Sequence, residues 1–336
     1  MSGAPSIRPA GCDGARVVPL AAPAGAQGPG AIRGALVEAL DLLLARRASG
    51  VLLGERRATG RGEGTELAQL RPYQVGDDVR RLDAAASART GVPHVREDVP
   101  ERALTTWVLL DVSASMAFGT GARLKSDVAA GVVEVVGRLS VRRAGRVALL
   151  TCGAPVQTLL PPRSGRRALL ALRRAAAAGV APDGTPPPPD ALAAGLRRIG
   201  RLARGAGLVV VLSDFRELAP DEGRRDAGGA SGRAGRPPWA RALGALSRRH
   251  DVLAVEISDP REAELPDAGQ LVLADPETGA RIEIDSAAAA LRRAFAAAEL
   301  ERRDALEAVL RRARARHVAL SADDEDWLRT LGRGLR

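Results

Sequence analysis

The sequence predicts an α/β protein built on a doubly wound parallel sheet. Two strongly apolar runs, TTWVLLD at 105–111 and GLVVVLSD at 207–214, have the composition of strands buried on both faces. Segments of helical spacing separate them from two further apolar runs, RVALLTCG and DVLAVEI. Strands that alternate with helices form a parallel sheet, because each helix must cross over to return the chain to the same edge. Both of the strongest runs also end in carboxylates and hydroxyls, which suits loops at the carboxyl edge of such a sheet.

Residues 1–30 are rich in Gly, Ala and Pro without periodicity and read as a disordered tail. Residues 31–103 read as a small β-rich module. It opens with a helix over Ala35–Arg47 and continues with short strands in GVLLGERR, GEGTELAQLRPY and VPHVREDV. The doubly wound domain is assigned to 104–260. Within it a helix is predicted over Leu124–Leu139, strands in RVALLTCG and VQTLLP, and a helix over Arg166–Ala178. The Pro-rich loop APDGTPPPPD then leads to a helix over Ala191–Ala203. After the second strong strand, Ala219–Pro238 is rich in Gly and charge and is expected to be mobile, and a helix follows over Trp239–His250. Residues 261–336 read as an extension: a hairpin turning at Pro276–Gly279, a long amphipathic helix after Ser286, and a last strand and helix in HVALSADDEDWLRTLGRGL.

Composition narrows the function. The chain has 336 residues, 46% of them hydrophobic, which is enough for a sizeable core. Aromatics are 2%, so Leu, Val and Ala must fill it. A net charge of +10 first suggests nucleic acid or an anionic surface. However, Lys125 is the only lysine, and the arginines run along the whole chain rather than forming one stripe. Arginine without lysine, beside abundant Ala, Gly and Pro, points to GC-rich coding composition, and nucleic acid is an unfavoured partner. Cys12 and Cys152 match no metal spacing and read as reduced thiols. No apolar run reaches the ~18 residues of a membrane helix, and the N-terminus has no signal core. The expectation is a soluble cytoplasmic protein.

The first strong strand runs into Asp111-Val112-Ser113-Ala114-Ser115. Alternate residues of an extended turn can face one way, so Asp111, Ser113 and Ser115 can converge. The second strand ends in Ser213-Asp214, and Thr185 lies in the loop before the helix Ala191–Ala203. Two carboxylates and three hydroxyls at one edge are hard oxygen donors suited to Mg²⁺ or Mn²⁺. Ser113, Ser115 and Thr185 would bind directly, and Asp111 and Asp214 largely through water. One coordination position would then remain for an incoming carboxylate. The competing reading is local: a strand end whose side chains cap the next helix.

The D-x-S-x-S run after an apolar strand resembles the metal-ion-dependent adhesion motif of von Willebrand A domains. GRGEGTELAQLRPYQVGDDVRRLD, DVSASMAFG, VLSDF and RHDVLAVEISDPREAELPDAGQLVLADPETG together resemble domain-of-unknown-function family fifty-eight, over about residues 33 to 290 and in the right order. Members of that family often pair with MoxR-type AAA+ ATPases. The resemblance therefore implies a von Willebrand A-like domain that acts as a metal-dependent protein-interaction adaptor, in chaperone-like assembly or maturation. Two positions depart from the family pattern. Ala84 follows Asp83 where tryptophan is usual, and the GGTD-like run is Asp183-Gly184-Thr185 followed by four prolines.

Enzyme readings find less support. GTGARLKS at 119–126 superficially resembles a phosphate-binding loop, but Leu124 stands where glycine must precede Lys125. A phosphohydrolase using the acidic cluster is the alternative, yet Ser113 occupies the position of a haloacid-dehalogenase-type general acid. No Gly-x-Ser-x-Gly elbow is evident. A basic nucleic-acid-binding scaffold is a further alternative. His94, His250 and His317 are isolated in sequence and read as surface or packing residues. Arg71, Tyr73, Gly76, Asp77, Asp78, Arg80 and Asp83 read as a structural network, with Gly76 in a turn, Asp77 or Asp78 capping a helix near Val79, and the arginines paired to carboxylates.

Overall fold

The computed structural model describes residues 66–99, 104–121, 123–142, 145–217 and 237–334. The tail at 1–30 with Cys12, the helix over Ala35–Arg47, the GVLLGERR strand and nearly all of the Gly-rich segment Ala219–Pro238 lie outside the described residues. The chain divides into two compact units between Leu104 and Thr105.

In the N-terminal unit, β1 (Glu66–Pro72) pairs antiparallel with β2 (His94–Val99), and a short helix α1 (Ala84–Thr90) lies between them. Asp83 caps α1 by accepting the Ala86 N–H, and Gly91 closes it in the left-handed conformation that glycine adopts without steric cost. Asp78, not Asp77, caps the single turn Val79–Arg81. Asp77 instead holds Arg71 in a two-pronged ion pair at 2.7 and 2.8 Å and also accepts the Gln74 N–H at 2.8 Å. The Arg71–Asp77 pair of the expected network is present, whereas Arg80 meets Asp78 through its backbone N–H.

The larger unit is a six-stranded sheet in the order β10-β7-β6-β3-β4-β5. Its strands are β3 (Thr105–Asp111), β4 (Arg146–Cys152), β5 (Leu159–Arg163), β6 (Gly207–Ser213), β7 (Asp251–Ser258) and β10 (Arg316–Ser321). All neighbours are parallel except β4 and β5, which pair antiparallel. The helices are α2 (Lys125–Arg142), α3 (Gly165–Ala176), α4 (Ala191–Leu202), α5 (Pro238–Ser247), α6 (Ala289–Arg312) and α7 (Trp327–Gly334).

The two-residue period of a strand sends alternate side chains of β3 to opposite faces. Val108 and Leu110 pack on one side with Val132 of α2, Leu172 of α3 and Trp327 of α7. Trp107 and Leu109 pack on the other with Leu196 of α4, Leu243 of α5 and Leu310 of α6. Both faces are covered, so the strand is apolar at every interior position rather than at every second one. Gly195 lets α4 approach β3, since a Cβ there would lie 2.8 Å from Leu109 Cδ1.

The C-terminal region departs from the expected boundary at residue 260. The strand β10 pairs in parallel with β7 along Arg316–Ser321 and forms the edge of the main sheet. Residues after 260 therefore complete the domain rather than extend it. Between β7 and α6, β8 (Gln270–Ala274) and β9 (Arg281–Asp285) form the predicted hairpin with its turn at 275–280.

Candidate metal centre

The strand order changes direction between β3 and β6, which leave the sheet centre side by side. Crossovers depart to opposite faces there, and the loops separate to leave a crevice at the carboxyl edge. Asp111 closes β3, and Asp214 directly follows β6.

Asp111 is buried, at 9% exposure. Its Oδ1 accepts the Ser113 N–H at 2.9 Å, and its Oδ2 accepts the Ser213 hydroxyl at 2.6 Å. The first bond folds the loop back so that the Ser113 and Ser115 hydroxyls lie 3.0 Å apart. Ser113 occupies the cap position of the turn Ala114–Ala117 but makes no side-chain cap bond, so its hydroxyl is left to the site. Gly153 sets the room available: a Cβ there would lie 2.5 Å from Asp111 Oδ1 and 2.7 Å from the Ser113 nitrogen.

Asp214 is held differently. Its Oδ2 takes the Lys125 ammonium at 2.8 Å, and its Oδ1 accepts the Arg216 N–H at 3.2 Å. Lys125, fully buried, bridges to Glu262 at 2.7 Å. Burial alone would raise the Asp214 carboxyl, but the Lys125 charge overrides it and holds the group low. Asp111 has neutral partners, so burial, followed by the charge of Asp214, pushes it up. Phe215, at φ 53, turns the chain sharply after Asp214, and its ring meets Trp239 edge-on at 5.3 Å. Packing of that ring supports a backbone conformation that costs about 1–2 kcal/mol in an L-residue.

Thr185 enters from the third loop. Ala181 N–H donates to the Val112 carbonyl at 2.8 Å, which fastens that loop beside the Asp111 turn. Thr185 is half-buried, in a turn where its own N–H bonds the Pro182 carbonyl. Among the described residues its hydroxyl makes no hydrogen bond to Asp111, Ser113, Ser115 or Asp214.

Three acidic and basic groups beyond the expected set reach the crevice. Glu217 accepts the Leu192 N–H at the start of α4, and its carboxyl is raised to about 7 by burial and by Asp111, Asp190 and Glu277. Glu277, in the β8–β9 turn, is half-buried near Ser115 and feels the charges of Asp214 and Asp111. Lys125 is the third, and its signal in the sequence was its status as the sole lysine among arginines. A compact ammonium on a flexible stem fits a closed pocket between two carboxylates better than a planar guanidinium does. Glu217 and Glu277 carry no comparable signal, because both come from loops that only the fold brings to this edge.

The donor chemistry fits a hard cation. The Asp111 carboxylate is set against Ser113 and Ser213, the Ser113 and Ser115 hydroxyls lie together, and a Cβ at Gly153 would crowd this turn. Among the described residues, no group of three or more His, Cys, Asp or Glu side chains is placed to hold an ion by itself. Any ion here would depend on hydroxyls and bridging waters, as Mg²⁺ does when it keeps part of its hydration.

A doubly wound sheet with one antiparallel strand beside β4, carrying D-x-S-x-S where its strand order reverses, is a von Willebrand A-like domain. The chain belongs to the family described as Protein of unknown function DUF58, which matches residues 69–305. An uncharacterized protein of Mycobacterium tuberculosis, Rv1480, is 35% identical over 321 residues, covering 91% of this chain and 92% of that one. A shorter uncharacterized Mycobacterium avium protein, MAV169, is 36% identical over 172 residues, covering 51% and 88%. Among solved structures, the conserved hypothetical protein BatB from Bacteroides thetaiotaomicron aligns with TM-score 0.39 at 14% identity, over 69% of this chain and 97% of that one. No helix among the described residues is long and apolar enough to cross a membrane.

Proposed function

We propose that the domain is a protein-interaction adaptor whose contact is made through a divalent cation at the carboxyl edge of β3 and β6. The observation that carries this reading is the turn Asp111–Ser115. It buries a carboxylate against neutral donors, sets two hydroxyls 3.0 Å apart, and spends neither hydroxyl on a helix cap. Ser113 and Ser115 would hold Mg²⁺ or Mn²⁺ directly, Thr185 would join from the third loop, and Asp111 and Asp214 would act through bound water. The Lys125 pair leaves Asp214 less charge for the ion, so Asp111 would be the main anionic support.

A cation bound chiefly by neutral hydroxyls keeps net positive charge, and it attracts an acidic side chain from outside. The family resemblance supplies the partner class, a MoxR-type AAA+ ATPase, with assembly or maturation of another protein as the outcome, in the cytoplasm. In this reading the site binds and does not turn over a substrate, since Ser113 stands where a phosphohydrolase would place its acid.

Titration of Mn²⁺ into the metal-free protein should give one site of roughly micromolar to millimolar affinity, absent in Asp111→Ala and much weaker in Ser113→Ala. Capture of an AAA+ ATPase by tagged protein should require the metal and fail with chelator. Equal capture with and without chelator, and by both variants, would place the contact elsewhere and refute the metal-dependent adaptor.

A further inference from the structure

Among the described residues, the β8–β9 hairpin reaches the crevice without joining the main sheet. It spans Gln270–Asp285, and both of its strands keep large apolar side chains in solvent, with Val272 56% and Ile282 61% exposed. Its tip is nevertheless fixed. The Pro276 carbonyl accepts the Gly184 N–H at 2.7 Å, and Gly279 packs against Gly184. Gly184 at φ 77 and Gly279 at φ 71 both use the left-handed region that lets these backbones meet. The hairpin therefore rests on the loop that carries Thr185, directly beside Asp111 and Ser115.

The tip residues do not all behave alike. Asp275 and Thr278 are exposed and bond each other, closing the turn. Glu277, between them, is half-buried on the Ser115 side and close enough to Asp111 and Asp214 to feel their charge. Carboxylates gathered in one crevice must either take up protons or share a cation, and the paired hydroxyls of Ser113 and Ser115 beside them suit the second. Lys125 is already held between Asp214 and Glu262.

We propose that Glu277 is an internal ligand of the divalent-cation site, holding the coordination position that a partner's acidic side chain takes when the hairpin lifts. This rests on the metal-site reading above. The free protein would then be self-capped: Ser113, Ser115 and Thr185 hold the ion from below, and the hairpin closes it from above. A partner carboxylate would compete with a tethered one. Tethering raises the effective concentration of Glu277 far above that of a free acid, so the cap would turn away isolated carboxylates and yield only to a partner that also engages the surrounding surface.

The test uses the full chain, Mn²⁺ as the metal and hexaglutamate as the acidic probe. Mn²⁺ affinity is measured by titration, and coordinated water by proton relaxation, for wild type, Glu277→Gln and the control Glu283→Gln, an exposed carboxylate on β9. Glu277→Gln should bind Mn²⁺ about tenfold more weakly, show one more coordinated water, and bind hexaglutamate in a metal-dependent way that wild type does not. Glu283→Gln should match wild type, and all three should melt within a few degrees of one another. If wild type binds Mn²⁺ while Glu277→Gln keeps the same affinity and water count, the internal ligand is refuted and the metal site stands. If neither binds Mn²⁺, both readings fail.

Discussion

At the scale of single residues, Lys125 dominates the energetics of the crevice. Its ammonium sits fully buried between Asp214 and Glu262 at 2.8 and 2.7 Å. Removing one partner of a buried ion pair leaves uncompensated charge, at a cost of about 3–5 kcal/mol. Lys125→Met should therefore lower stability by about that amount in chemical denaturation, although methionine matches its length and apolar stem. A loss below about 1 kcal/mol would mean that water already screens the pair. Glu217 gives a prediction of opposite character. Its carboxyl lies at about 7 when folded, against an ordinary 4.5, through burial and the nearby carboxylates. Between those values the folded chain holds the proton more tightly than the unfolded one, so stability falls as pH rises. The contribution is complete below about 4.5 and is lost as pH climbs through about 7. In chelator, wild type should lose a few degrees of melting temperature relative to Glu217→Gln between pH 5 and 8. A constant difference between the two curves would show that Glu217 does not titrate in that range.

At the scale of elements, the turn after β1 in the N-terminal unit is held by charge rather than by apolar packing. Arg71 and Asp77 clamp it with two parallel bonds, and the Gln74 N–H is tied to the same carboxylate. Val75 at its tip is fully exposed and can contribute no packing. Two-pronged guanidinium–carboxylate contacts are among the stronger ones at partial burial. Asp77→Ala should thus destabilise this unit by about 1–2 kcal/mol, read as faster hydrogen exchange at Tyr73 and Asp83, whose N–H groups bond the Pro93 and His94 carbonyls. Mn²⁺ affinity should not change. Unchanged exchange with altered partner capture would mark the turn as an interface.

Over the whole molecule, ion pairs run from the crevice to the sheet edge. Arg216 joins Glu262 to Glu299, Arg302 joins Glu299 to Glu256, and Glu256 meets His317 on β10. The crevice is thereby tied to the strand that completes the sheet, so an ion that orders the crevice should stabilise the domain as a unit. At Mg²⁺ about one hundred times its dissociation constant, the stabilisation should be about 2.7 kcal/mol. Calorimetric scans with and without Mg²⁺ should show the main transition rise by a few degrees in wild type and not in Asp111→Ala. An equal rise in both proteins would indicate nonspecific ion effects.

The sequence by itself determined the layered fold, because strands such as 105–111 and 207–213 are apolar without alternation and only burial on both faces accounts for that. It also placed Asp111, Ser113, Ser115 and Asp214 at one edge, since residues that end adjacent parallel strands must lie together. It did not determine what surrounds them. Lys125 meets Asp214 across 89 residues of chain, and Glu277 reaches Ser115 from a hairpin far along it. Such pairings depend on how crossovers and loops return to the edge, and no local periodicity encodes that. The same reason explains β10: a short run near the C-terminus reads as an appendage until the sheet offers it the open edge of β7. Hydrophobic pattern is written residue by residue, whereas the electrostatics of a site at a strand-order reversal are settled only when distant loops share one small volume.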